Sequence, residues 1–302
     1  MHPGDEVGVS GANCAWNTGG QHFRRLLCHA GKYVDGNNCV HDDNLCFWNE
    51  YEAPTHAHQI QPHRGWDFAH HYHTIVKPIP PSPNRQANLQ DSVLDECCDN
   101  TDPCVFGDTF KYSNCQQVPN GYLWNLPQGS LILFGSLHAR MFYLDTVFVT
   151  QNLGVRYSVP VVNHQLPFVT SNEYRIVTLD NLGPRRNKRN RHNPIINQFM
   201  FYRGAKPKLV KGHVDMQKIF SFTPTRILNT KDFNERFRID LAALNQRIQA
   251  GVCASRQFSP NLTQGHKTVV FNASQTDVAT IWRGVRDAVI NASFMLGYHF
   301  AW

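Results

Sequence analysis

Apolar and polar positions follow their most regular pattern in the middle of the chain. Residues 129–136 (GSLILFGS) and 141–149 (MFYLDTVFV) are two apolar, aromatic and β-branched runs separated by a short break. That arrangement predicts a β-hairpin. Residues 155–162 predict a third strand interrupted by Pro160, and 199–203 and 219–222 predict two more. Residues 68–76 read as an earlier strand. It stops at a proline-rich connection over 77–86, where Pro78, Pro80, Pro81 and Pro83 remove the ladder donors a strand would need. Residues 23–27 (FRRLL) suit a short helical turn. A short piece at Cys39, Val40 and His41 is bracketed by turn-forming residues on both sides, Gly36-Asn37-Asn38 and Asp42-Asp43-Asn44.

The period changes toward the C-terminus. Over 232–250, Phe233, Phe237, Leu241, Leu244 and Ile248 fall on one helical face. A second helix opens at Ser274, with Asp277 three residues on as in a capping box, and places Val278, Ile281, Val285, Ala288 and Val289 on one side. Residues 88–98 are a further candidate helix. Strands followed by helices, and not alternating with them, predict an α+β fold: a mixed or antiparallel barrel-like sheet with additional helices over 229–302. The expected organisation is one elaborated domain over 1–302, with 77–86 as a long surface connection inside it.

Composition narrows this picture. Hydrophobic residues make up 41% of 302 residues, with 19 Phe, 10 Tyr and 6 Trp, enough for a substantial core and too many for a largely disordered chain. No apolar run reaches membrane-spanning length. The start, Met1-His2-Pro3-Gly4-Asp5-Glu6, lacks the basic-then-apolar order of a secretory signal. A cytoplasmic protein is therefore expected, with no membrane partner. An odd number of cysteines, 9, argues in the same direction for free thiols over a disulfide framework. The net charge of +6 favours phosphate-rich partners: DNA, RNA or a nucleotide.

Four local patterns carry candidate chemistry. The run 184–192 sets Arg185, Arg186, Lys188, Arg189 and Arg191 among Asn residues beside a Gly-Pro break. Guanidinium forks in such a loop suit bidentate phosphate contacts; the plainer alternative is a solvated loop. In 47–52, an extended backbone would put Trp48, Glu50 and Glu52 on one face and Phe47, Asn49 and Tyr51 on the other. Such a face could stack a base and accept hydrogen bonds from its amino edge, or supply a general base, or simply be an edge strand. His71 and His73 share a face of the predicted strand at 68–76 and could ligate a divalent metal such as zinc, with further ligands drawn from Cys28, His29, Cys39, His41 or Cys46. No tight C-x-x-C knuckle supports that centre, so no cofactor is firmly implied. Alternation over 110–115 puts Phe110, Tyr112 and Asn114 on one face, fit to stack and hydrogen-bond a base, with Cys115 as a thiol candidate. P-loop, dinucleotide-fold, G-x-S-x-G and H-E-x-x-H signatures are absent from the sequence.

The segment 126–135 (LPQGSLILFG) followed by 142–149 (FYLDTVFV) resembles the strand-and-return core of PUA-like barrels, the group that includes ASCH, EVE and YTH modules. The resemblance implies a small β-barrel that binds RNA or a modified base through an aromatic pocket; on local chemistry, with no matching motif position, Trp48, Tyr51, Phe110 and Tyr112 are the first candidates for its walls. The G-x-K-x-x-E-x-R pattern of ASCH members is absent, and the chain is about twice the length of a minimal barrel of that kind. Together these features predict a nucleic-acid or modified-nucleotide binding module. In it Glu50 or Asn114 reads the base and the basic loop holds phosphates. An enzyme acting on nucleotides through His71, His73, Glu50 and Glu52 is the alternative, and a protein-interaction scaffold a third.

Overall fold

A computed structural model describes residues 6–8, 22–52, 105, 107–113, 126–138, 140–158, 166, 198–227, 236–251 and 274–301. The described elements are, in chain order, strands β1 (Glu6–Gly8), β2 (His22–Val34), β3 (Val40–Glu52), β4 (Lys111–Ser113), β5 (Leu131–His138), β6 (Met141–Val149) and β7 (Val155–Ser158). They continue with β8 (Gln198–Arg203), β9 (Leu209–Val210), β10 (His213–Val214), β11 (Thr223–Ile227) and β12 (Arg238–Asp240), then helices α1 (Leu241–Gly251) and α2 (Gln275–Asn291), and a last strand, β13 (Met295–Phe300).

The β2–β3 hairpin is the longest pairing, running from His22↔Glu52 to Val34↔Val40. β13 pairs with β2, β11 with β13, and β11 with β3, all antiparallel. The four strands therefore close on themselves as an antiparallel barrel, with β1 added beside β2. The ring joins residues some two hundred positions apart, so no local pattern announces it. Two three-stranded sheets stand beside it, in the orders β12-β6-β5 and β4-β8-β7. The α+β character and the barrel-like sheet read from the sequence are both present. The segment that resembles PUA-like barrels forms the β5–β6 hairpin, which lies in a three-stranded sheet and not in the closed ring.

β6 divides two cores. Val147 and Val149 face a cluster that also holds Phe220, Phe222, Leu296 and the buried side of α2, whereas Phe148 faces an aromatic cluster with Phe47, Tyr112, Phe199, Tyr202 and Phe300. Strict alternation would send Phe142 and Leu144 to the aromatic side. The β5–β6 register instead slips between Phe134 and Gly135, which leaves Asp145 as an extra residue on β6. One inserted residue reverses side-chain parity, so Phe142 and Leu144 join Val147 and Val149 in the first cluster. Glycine is required at position 135, where a Cβ would collide with the Tyr143 carbonyl.

The helices show why sequence periodicity was right about one and early about the other. α2 begins as expected: Ser274 Oγ accepts from Asp277 N at 3.2 Å while the Asp277 carboxylate accepts from Ser274 N at 3.1 Å. Its buried face is Ile281, Trp282, Val285 and Val289, and the Trp282 indole donates to the Phe220 carbonyl at 2.9 Å. α1 starts at Leu241 and not near residue 232. Phe237, Ile239 and Leu241 are buried while Arg238 and Asp240 are exposed, a period of two that shares Phe237 and Leu241 with the helical pattern. β12 takes the first part by pairing with Met141–Tyr143, and Asp240 Oδ1 then accepts from Ala242 N at 2.8 Å and Ala243 N at 3.2 Å to open the helix.

Other expectations change as well. Residues 23–27 belong to β2, because pairing with residues 47–51 decides between turn and strand for a short apolar run. Phe220 and Phe222 are buried, but the ladder starts only at Thr223. The C-terminal part ends in a strand, not a helix. The expected strand at 68–76, the connection at 77–86 and the helix at 88–98 lie outside the described residues. None of the described helices is long and apolar enough to cross a membrane.

Candidate functional site

The barrel wall carries a row of charge fixed by its register. Lys32 on β2 lies opposite Asp42 on β3, with Nζ 2.8 Å from the carboxylate, and opposite His299 on β13. An antiparallel bridge between Gly107 and Phe300 brings Asp108 to the same edge, where it pairs with Lys206. The Lys206 hydrogen bond holds the Asp108 carboxyl below its usual range against an opposing effect of partial burial. His299 is half-buried, and burial pushes its imidazole down; Asp108 and Asp42 oppose this, and Lys32 and Lys206 add to it.

From Lys206 the chain runs into a short hairpin. β9 and β10 pair through His213↔Val210 and Val214↔Leu209, closed by a two-residue turn with Lys211 at φ 51° and Gly212 at φ 82°. Positive φ at both positions is the type I′ geometry that suits strand twist. Gly212 adopts it freely, but Lys211 does so at a cost that Asn or Gly would not incur. Leu209 and Val210 are 54% and 47% exposed. Lys208, Lys211 and Lys218 are exposed too, and among the described residues none of the three pairs with a carboxylate.

The hairpin is anchored on the β2–β3 turn. Cys39 bridges His213, Val214 N donates to the Asn38 carbonyl at 3.0 Å, and Cys39 Sγ lies 3.6 Å from His213 Nδ1. Asp35 organises that turn by accepting from the backbone N–H of Asn37 and Cys39 at 2.8 and 2.9 Å and by pairing with His41 Nε2 at 2.9 Å. Burial works to raise the Asp35 carboxyl, but the His41 bond and the two backbone donors outweigh it and hold the group low. Two turns thus lock together beneath an exposed basic tip.

No family model, curated protein or solved structure matches the chain. The assignment of chemistry therefore rests on the residues themselves.

The residues singled out from sequence divide sharply. Phe110 and Tyr112, expected as pocket walls, are each 2% exposed. The Tyr112 ring stacks on Tyr202 at 6.0 Å and meets Phe134 and Phe148 edge-on, so its faces are taken by the aromatic core and offer nothing to a base. Alternation cannot separate a core aromatic from a pocket aromatic; only the partner strand does. Cys46, offered as a metal ligand, is bonded to Cys28 directly across the β2–β3 ladder. The expectation of free thiols does not hold for that pair, and its sulfurs are not available as thiolates. Cys39 is a free thiol beside His213. Among the described residues no group of three or more His, Cys, Asp or Glu side chains gathers as a metal centre would.

Trp48, Glu50, Tyr51 and Glu52 do lie on a strand, β3, as the extended reading required. Trp48 is half-buried and packs against the first core. Asn114, Cys115, His71, His73 and the basic residues Arg185, Arg186, Lys188, Arg189 and Arg191 lie outside the described residues. The hairpin was not expected from the sequence, although Leu-Val, then Lys-Gly, then His-Val over 209–214 places a glycine-containing dipeptide between two short segments that each carry a valine.

Proposed function

We propose that the protein binds nucleic acid, or a nucleotide within it, through phosphate contacts made by the β9–β10 hairpin. One observation carries this reading: three exposed lysines, Lys208, Lys211 and Lys218, have no carboxylate partner among the described residues, and Lys211 occupies the strained tip of the hairpin. A lysine kept where glycine or asparagine would cost less points to a use for its charge. Leu209 and Val210 beside it give the tip apolar contact area against sugars or base edges. The basic run over 184–192, with Arg185, Arg186, Lys188, Arg189 and Arg191, would add phosphate contacts to the same partner.

Oligonucleotide binding across a salt series tests this. Each phosphate contact contributes about 0.9 to the slope of log affinity against log salt on duplex DNA. Changing Lys208, Lys211 and Lys218 together to neutral residues should weaken binding and lower that slope by up to about 2.7. Unchanged affinity and slope would remove the hairpin from the interface. If oligonucleotides do not bind at all and the exposed Leu209–Val210 pair instead mediates association with a protein, the reading fails as a whole.

A further inference from the structure

Two buried donors on the barrel wall have no acceptor among the described residues: Trp48 Nε1 and Arg226 Nε. Their placement is related. The β3–β11 ladder sets Arg226 opposite Cys46, and Trp48 follows Cys46 by two residues on the same face of β3. Trp48 and Arg226 are therefore diagonal neighbours across adjacent strands, about 7–8 Å apart at the backbone. Both belong to the side of the first core: Trp48 packs against it, and the Arg226 guanidinium lies 4.3 Å from the centroid of the Phe294 ring. Stacking on Phe294 orients the guanidinium plane but gives its N–H groups nothing to donate to. No carboxylate among the described residues pairs with Arg226.

A half-buried cation with an orphaned N–H, beside a second orphaned N–H, is the unfilled half of a charge-assisted hydrogen-bond pair. The geometry points to an oxyanion site on the barrel wall, taken by a phosphate or phosphate ester, with Arg226 supplying charge and one donor and Trp48 the other. Donors arriving from two strands, and not from one planar fork, suit the spread oxygens of a tetrahedral phosphate better than a planar carboxylate. The indole offers only a donor, so it selects for an acceptor and against a second cation. The site is separate from the hairpin and does not rest on its lysines.

Thermal unfolding of the full chain tests the site, with inorganic phosphate and a nucleoside 5′-monophosphate titrated separately against sodium chloride at matched ionic strength. Phosphate should raise the midpoint saturably above the chloride control. Trp48→Phe keeps an aromatic ring without the donor, Arg226→Lys keeps the charge without Nε, and each should weaken the apparent affinity about tenfold. A larger shift with the monophosphate assigns the ester as ligand, and equal shifts assign free phosphate. No saturable shift with either ligand, or shifts unchanged in both variants, would overturn the inference. Neutralising Lys208, Lys211 and Lys218 should leave the shift intact, which separates this site's failure from that of the hairpin.

Discussion

Arg236 and Arg226 are two arginines partly buried in the same protein, and they are treated in opposite ways. Arg236 is enclosed: its Nε and Nη2 reach the Asp145 carboxylate at 3.0 and 2.6 Å, and its guanidinium lies 5.2 Å from the centre of the Tyr143 ring. Asp145 is the residue inserted by the β6 bulge, and its side chain is 3% exposed. The bulge that reverses the parity of β6 thus also turns an acid inward to meet that cation. Arg226 has an aromatic platform and, among the described residues, no acid. The unpaired lysines of the β9–β10 hairpin stand with it. Arg236 is paired within the fold, and Arg226 and these lysines have no carboxylate partner among the described residues.

The largest effect should come from breaking the enclosed pair. Replacing Asp145 with Asn strands the Arg236 charge and should destabilise the protein by about 3–5 kcal/mol, read by denaturant unfolding. Replacing both partners with apolar residues, Asp145→Leu with Arg236→Met, should recover most of that loss, since the desolvation of both charges disappears together. A single-variant cost below about 1 kcal/mol would mean that the pair is solvated like a surface bridge, and the contrast with Arg226 would collapse.

Arg226 should behave differently. Arg226→Met keeps the stem over Phe294 and removes a charge that has no partner among the described residues, so stability should stay within about 1 kcal/mol of the wild type, on either side. A loss as large as that of Asp145→Asn would show that Arg226 is held by an acceptor, and the oxyanion site would then already be filled from within the chain.

The same contrast marks what a sequence can show. The capping box at Ser274 and Asp277 and the β5–β6 hairpin were legible because each is decided within a few residues. α1 was misplaced because Phe237 and Leu241 satisfy periods of two and of four at once, and only the pairing of β12 with β6 settles the choice. The barrel was legible as a tendency, but not its closure, since β2 meets β13 across most of the chain. Tyr112 looked like a pocket aromatic for want of knowing that Tyr202 and Phe148 surround it. Arg226 could not have been found from sequence at all, because what defines it is the missing acceptor.

Acidification should give a weaker, two-stage response from the barrel wall and the β2–β3 turn. His299 has its imidazole pushed below its ordinary value of 6.5, chiefly by burial, so the unfolded chain binds its proton first. Its contribution is complete above that value and is lost as the pH falls through the lower folded value. Asp35 and Asp108 are likewise held below 3.8, so their contributions persist to more acid pH and then disappear. All three act in one direction: stability falls with pH. Midpoint temperatures followed from pH 8 to pH 3 should show the first decline beginning near pH 6.5, and His299→Gln should remove it while leaving the second. A first decline that survives in His299→Gln would place the responsible proton elsewhere.

The smallest effect is the one that separates function from stability most cleanly. Lys211 holds φ 51° at the first position of the β9–β10 turn, where Asn followed by Gly is the favoured pair. Lys211→Asn relieves backbone strain without touching the ladder, and should stabilise the protein by about 0.5 kcal/mol. The same change removes the cation at the tip, so oligonucleotide affinity should fall and the salt slope should drop by about 0.9. Stability and affinity then move in opposite directions at one residue, which no account of Lys211 as a mere turn former produces. If the variant is more stable and binds as tightly as before, the strain serves nothing at the tip. The hairpin lysines would then join the solvated charges of an ordinary surface, and the contrast with Arg236 would rest on Arg226 without them.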